Sequence, residues 1–207
     1  MTKIHEIDPV LVDVPMPILT PRLLIRPPQA GDGQALFEAK SKSWSELKTW
    51  MPWAQNPEEH NVEKDEIMCR QKYAAYLLRE DLMMFAFDRQ KGILLAGTGL
   101  HRMDWKARIF EIGYWVRSDE TGKGIASELT NALLRYAFGQ LSANRVYIAH
   151  DPENGASRRV IEKLGFIKEG ESKIDSILND HLRGTCHYAR YDLDGLPDLD
   201  VQWGREQ

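Results

Sequence analysis

Cysteine is nearly absent from this chain. Cys69 and Cys186 are the only two among 207 residues, and they lie far apart. Such a pair supports neither a disulfide framework nor a zinc-binding spacing. The six histidines show no metal-ligand spacing either, so surface or core positions are expected of them. No uninterrupted apolar run approaches the ~18 residues of a membrane-crossing helix. Residues 1–9 hold no apolar signal core. No membrane partner is therefore expected, and a reducing cytoplasm is the expected compartment. Excess basic charge is missing as well, because 27 Lys and Arg face 31 Asp and Glu, a net charge of −4. Non-specific nucleic-acid binding draws on clustered Lys and Arg against phosphates, so that class is disfavoured. A cationic partner or substrate fits the balance better. Internal repeats and low-complexity tracts are absent too.

What is present suits one globular unit. A hydrophobic fraction of 43% buries a full core without disulfides or metal. Residues 1–20, punctuated by Pro9, Pro15 and Pro17, read as an extended lead-in, residues 21–193 as the domain, and residues 194–207 as a tail. Leu23 to Arg26 is a short strand stopped by Pro27 and Pro28, which cannot continue a ladder. Asp32 is placed to cap a helix through Leu36, Phe37 and Ala39, and a tryptophan cluster, Trp44, Trp50 and Trp53, follows. Glu58 to Arg79 has helical apolar spacing. Met83–Asp88, Ile93–Met103 and Ile109–Val116 then read as three antiparallel strands. In the third strand, Phe110, Ile112, Tyr114 and Val116 form one apolar face, and Glu111, Gly113 and Trp115 lie on the other. Ile125, Leu129, Ala132, Leu133 and Tyr136 make a helical stripe. A strand over 145–150, a helix capped by Asn154 and stopped by Gly165, and a hairpin around Asn179 and Asp180 complete one mixed α/β domain.

The segment Glu111–Ala126 carries the chemistry. It runs from strand through a loop punctuated by Gly122 and Gly124 into a helix. Backbone N–H groups at such a corner, with the helix dipole behind them, form a seat for a phosphate or diphosphate. Glycines are needed there because a Cβ would block the anion's approach. Each amide bonding a charged oxygen contributes ~1.5–3 kcal/mol, and the dipole adds ~0.3–1 kcal/mol. Lys123, Arg158 and Arg159 are within sequence reach of the same anion. The loop lacks the Gly-Lys-Ser/Thr ending of phosphate-loop nucleotidases.

Residues 111–116, 122–126, and 154–157 continuing to Lys163–Phe166 resemble, in order and spacing, the acetyl-CoA-binding core of the GNAT acetyltransferases. Thr20–Arg26 and Trp50–Trp53 resemble the RimJ/RimL branch, which acetylates protein N-termini. The likeness extends over about residues 20–193. It implies an α/β (α+β) fold with a mostly antiparallel sheet, helices on both faces, and strands splayed at the coenzyme. It also implies acetyl-CoA as donor with no metal, seated by Val116, Arg117, Thr121, Gly122, Lys123, Gly124, Ile125, Ala126, Ser127, Asn154, Ser157 and Arg158. Asn154 would contact the pantetheine arm, and Ser157 would face the coenzyme sulfur and assist the leaving thiolate. The family's loop usually carries Gln or Arg at the position of Thr121, so this chain keeps a hydroxyl there and loses the longer reach.

The acceptor would be a primary amine, that of a protein N-terminus first, attacking directly in a ternary complex. Glu111 is the candidate base, because such an amine is mostly protonated near neutrality (reference pKa ~7.7–8.0). Asp119 and Glu120 are its rivals. Trp50, Trp53, Glu111 and Trp115 are candidates for the acceptor pocket. Relatives on this scaffold also modify polyamines, aminoglycosides and amino acids, and fold does not fix substrate. A non-catalytic acyl-CoA-binding module is the reading from another class. The edge of the 168–193 hairpin could pair two copies into a homodimer.

Overall fold

The computed structural model describes residues 8–56, 58 and 60–204. The expectation for Met1–Ile7 and the last three residues of the tail lie outside the described residues. A nine-stranded sheet forms the centre: β1 (Ile18–Leu19), β2 (Leu23–Arg26), β3 (Leu82–Asp88), β4 (Leu94–Asp104), β5 (Ile109–Val116), β6 (Arg145–His150), β7 (Ile167–Leu178), β8 (His181–Arg190) and β9 (Gln202–Trp203). Their spatial order is β7-β8-β6-β5-β4-β3-β2-β1-β9. Every neighbouring pair is antiparallel except β5 and β6.

Alternation along the strands decides what each face packs. Leu82, Met84 and Ala86 of β3, with Phe110 and Ile112 of β5, join one core. α3 (Ile125–Gly139) and α4 (Gly155–Lys163) cover it. The stripe expected for α3 is realised, with Ile125, Leu129, Ala132, Leu133 and Tyr136 all buried. On the opposite face Phe85, Phe87 and Leu94 pack against Leu36 and Ala39 of α1 (Gly33–Trp50) and Cys69 of α2 (Val62–Leu77). The sheet thus has helices on both faces, and β3 is hydrophobic on both sides for that reason.

Turn chemistry fixes the connections. Asp88 accepts from the amides of Gln90 and Lys91, and Gly92 takes φ +67° to close the β3–β4 turn. Asn179 and Asp180 both adopt positive φ, the two-residue turn geometry that matches strand twist.

Three features differ from expectation. Asp32 stands at the start of α1 but makes no side-chain cap. Its carboxylate instead holds Arg26 through two bonds of 2.7 and 2.8 Å and accepts from the Gln29 amide. An anionic fork beside a guanidinium outcompetes a backbone amide. The α2 helix is also shorter than the expected Glu58–Arg79, because Asn61 caps it by accepting from the Lys64 amide. Finally, the lead-in and the tail both enter the sheet. Ile18 is fully buried, and it pairs with Ile25 on one side and Trp203 on the other.

Candidate active site

β5 and β6 run parallel for three residue pairs only: Ile109 with Arg145, Phe110 with Val146, and Glu111 with Tyr147. Beyond these they part. β4 keeps hold of β5 as far as Val116, and β8 keeps hold of β6 as far as His150. The amide of Arg117 donates to Leu95 on the β4 side (2.8 Å). Strand alternation therefore turns the C=O of Ile112 and the N–H and C=O groups of Tyr114 and Val116 away from β4, into the gap. Sheet geometry leaves a wedge lined by open backbone donors and acceptors.

The glycine corner lies at the mouth of this wedge. Gly122 and Gly124 have φ of +76° and +81°, a region L side chains rarely occupy. A Cβ at Gly122 would meet nothing within 4 Å, so the loop's outer side is open space. The amides of Ile125, Ala126 and Ser127 belong to the first turn of α3 and have no carbonyl a turn behind them. The side chains expected to help are tied to the loop itself. Thr121 donates its hydroxyl to the Ser118 carbonyl (2.8 Å), and Lys123 pairs with Glu120 (2.8 Å). Arg117 grips Asp119 through two bonds, of 2.7 and 3.0 Å, and Arg158 reaches the Pro152 carbonyl. With these side chains engaged, the backbone amides are what the corner leaves open. Sequence reasoning missed its brace. Arg22 donates to Glu128 (2.5 Å) and to the Lys123 carbonyl (2.9 Å), and Thr20 donates to the same Glu128 (2.5 Å). These partners lie over a hundred residues apart, and no local pattern signals them.

On the α3–α4 side, Asn154 caps α4 by accepting from the Ser157 amide (3.0 Å). The Ser157 hydroxyl shares a hydrogen bond of 3.0 Å with the phenol of Tyr114. Sequence reasoning counted Tyr114 only as apolar packing. Burial pushes its pKa up to about 12, and the bond to Ser157 offsets only part of that. A phenol held protonated beside a hydroxyl on the first turn of α4 can donate a proton there.

The other side carries Glu111, which is 8% exposed rather than a surface glutamate. One oxygen accepts from Arg102 at 2.5 Å. Neighbouring Tyr147 is pushed up to about 12 by burial, with the Glu111 charge adding to it. Trp115 lies across Gly97 of β4, where a Cβ would approach its indole nitrogen to 2.3 Å, so the bare backbone there makes room for the ring. The cluster Trp44, Trp50 and Trp53 lies in and just after α1. Trp44 and Trp53 flank Lys40, whose Nζ is 5.8 and 5.6 Å from their ring centroids, and Lys40 pairs with buried Asp65 at 2.5 Å. Trp50 ends α1 and is half-buried. The segment still borders the wedge, because Ser43 accepts from the Ser118 amide after β5, and Asn179 at the hairpin tip donates to Lys48.

Among the described residues no helix is long and apolar enough to cross a membrane. Residues 22–167 match the family model described as an acetyltransferase (GNAT) domain. YdaF of Bacillus subtilis (strain 168), provisionally named a ribosomal N-acetyltransferase, is 30% identical over 81% of this chain and 90% of its own length. The ribosomal-protein-serine acetyltransferase of Escherichia coli (strain K12) is 28% identical over 73% of this chain and 81% of its own. The structure of RimL, the ribosomal L7/L12 α-N-protein acetyltransferase, in complex with coenzyme A superposes with a TM-score of 0.76 at 22% identity, covering 84% of this chain and 96% of that one. With the splayed strands and the glycine corner in place, these likenesses make the chain an acyltransferase of the GNAT acetyltransferase family, in its RimJ/RimL-like branch.

Proposed function

We propose that this enzyme moves an acetyl group from acetyl-CoA to a primary amine, that of a protein N-terminus first, by direct attack in a ternary complex. The observation that carries the reading is the wedge itself, with a proton donor on one face and an anionic side chain on the other. The donor molecule supplies an activated acyl thioester. The amides of Gly122 to Ser127 would hold its diphosphate, and the open groups of Ile112, Tyr114 and Val116 would hold the arm. The Val116 amide and its neighbours would polarise the thioester carbonyl. Tyr114, through Ser157 or directly, gives a proton to the sulfur as the C–S bond breaks. Glu111, at the vertex on the α1–α2 face, attracts the acceptor as an ammonium. The named activities of the relatives support a protein amine, and so does the net charge of −4, which suits a cationic partner. Both cysteines are free and buried, in keeping with a reducing cytoplasm. β7 ends the sheet with Ile174 and Ile177 exposed, and a homodimer would form there by edge pairing, which sedimentation measures.

The test is mass spectrometry of peptides with free N-termini, polyamines, aminoglycosides and amino acids, incubated with isotope-labelled acetyl-CoA. Label on peptide N-termini supports the reading. Label confined to small amines replaces the acceptor class. Coenzyme binding without any transfer would make the chain an acyl-CoA-binding module and end the enzymatic proposal.

A further inference from the structure

We propose that His101, oriented by Asp81, takes the proton from the incoming ammonium, while Glu111 holds the amine in place. The inference rests on the acetyl-transfer reading above and concerns side chains that lie outside the donor seat.

His101 is on β4 in register with Glu111, so both side chains stand on the α1–α2 face at the vertex where β5 and β6 part. Its ring lies flat over two glycines. A Cβ at Gly99 would approach Cε1 and Nε2 to 2.7 and 2.8 Å, and one at Gly113 would approach Cδ2 and Nε2 to 3.0 and 3.3 Å. Any larger residue at either position would push the imidazole out of this pose. Gly113 belongs to the part of β5 that has already left β6, so the Nε2 edge of the ring sits beside the opened strand.

The far edge is anchored. Nδ1 is 2.5 Å from an oxygen of Asp81, and the other oxygen of Asp81 accepts from Lys72 at 2.9 Å. Burial works to raise the Asp81 pKa, but the bond and charge of His101, with Lys72, outweigh it, and the net shift is downward. With Asp81 accepting at Nδ1, the tautomer that carries its proton there presents a lone pair at Nε2. The charged groups around the ring are Asp81 ahead of β3, Lys72 on α2, Arg102 beside it on β4 and Glu111 on β5. Glu111 has one oxygen occupied by Arg102. His101 is 28% exposed at its side chain, so its proton can return to solvent after each cycle.

The step balances. An N–H bond of the ammonium breaks, and its electron pair stays on nitrogen. The Nε2 lone pair takes the proton, and Asp81 steadies the imidazolium. The freed amine then forms the C–N bond as the C–S bond breaks, the nitrogen's second proton leaves to solvent, and the sulfur receives a proton from the Tyr114–Ser157 pair, which solvent then restores.

Three measurements on the full chain test this. His101→Ala and His101→Gln should each lower kcat by about 100-fold, with acetyl-CoA affinity unchanged. Added imidazoles and pyridines should rescue His101→Ala in proportion to their basicity, since a mere space-filler would rescue regardless of it. Nitrogen NMR of the unliganded protein should show the Nδ1–H tautomer, lost in Asp81→Asn. Variants within threefold of the parent kcat, rescue independent of basicity, or an Nε2–H tautomer in the parent would each overturn the assignment. A parent protein that transfers no acetyl group to any amine would instead sink the acetyl-transfer reading, and this step with it.

Discussion

Gly122 and Gly92 offer a matched pair of substitutions that separates backbone strain from ligand binding. Both adopt the left-handed region, at φ +76° and +67°, and a Cβ added to either meets nothing within 4 Å. Gly92 closes the β3–β4 turn, and Gly122 lies in the corner before α3. Placing alanine in that region costs ~1–2 kcal/mol, about 2–8 °C in Tm for a chain of this size. Gly92→Ala and Gly122→Ala should therefore lose similar stability. Only Gly122→Ala puts a methyl where a diphosphate would approach the amides. Losing one amide bond to a charged oxygen costs ~1.5–3 kcal/mol, or roughly 10- to 150-fold in Kd. Calorimetric titration with acetyl-CoA, beside a thermal melt of each variant, reads both effects. Equal coenzyme affinity in the two variants would refute the glycine corner as the anion seat.

The proton donor and the tryptophan cluster yield two more tests. Tyr114→Phe should lower kcat by about 100-fold while leaving acetyl-CoA affinity unchanged, and Ser157→Ala should also lower turnover more than affinity; stopped-flow thiol release with a fixed amine measures both. Lys40→Met would strand the Asp65 carboxylate, which is 2% exposed and whose pKa is raised, first by burial and against the pull of Lys40. Breaking such a pair costs about 3–5 kcal/mol. A carboxyl with a raised folded-state pKa favours folding while protonated, and that advantage fades as pH rises through it. The variant's deficit in urea unfolding should thus be large at pH 7 and shrink towards pH 4. A deficit that does not vary with pH would show that Asp65 stays charged or is solvated.

The contrast between the two faces of each element made much of the fold legible. Ile109 to Val116 alternates because one face meets α3 and the other meets α1, and the α3 stripe faces a single core. Asn179 and Asp180 marked their turn because few other residues tolerate two successive positive φ values. The two-residue strands β1 and β9 were too short to show any period, and only the partner strands reveal them. The site was legible where backbone conformation dictates residue type, as at Gly122 and Gly124. It was hidden where two distant side chains meet. Tyr114 passed for core until its hydroxyl met Ser157, and Arg22 gave no sign of Glu128. The Lys40 and Asp65 pair beside Trp44 and Trp53 gave no sign either, because it is set by how α1 packs on α2.

A crystal structure with coenzyme A bound tests the central claim most directly. It should show the diphosphate on the amides of Gly122 to Ser127, and the arm running between β5 and β6 toward Tyr114 and Ser157. A coenzyme bound elsewhere, with β5 and β6 closed on each other beyond Glu111, would contradict the account.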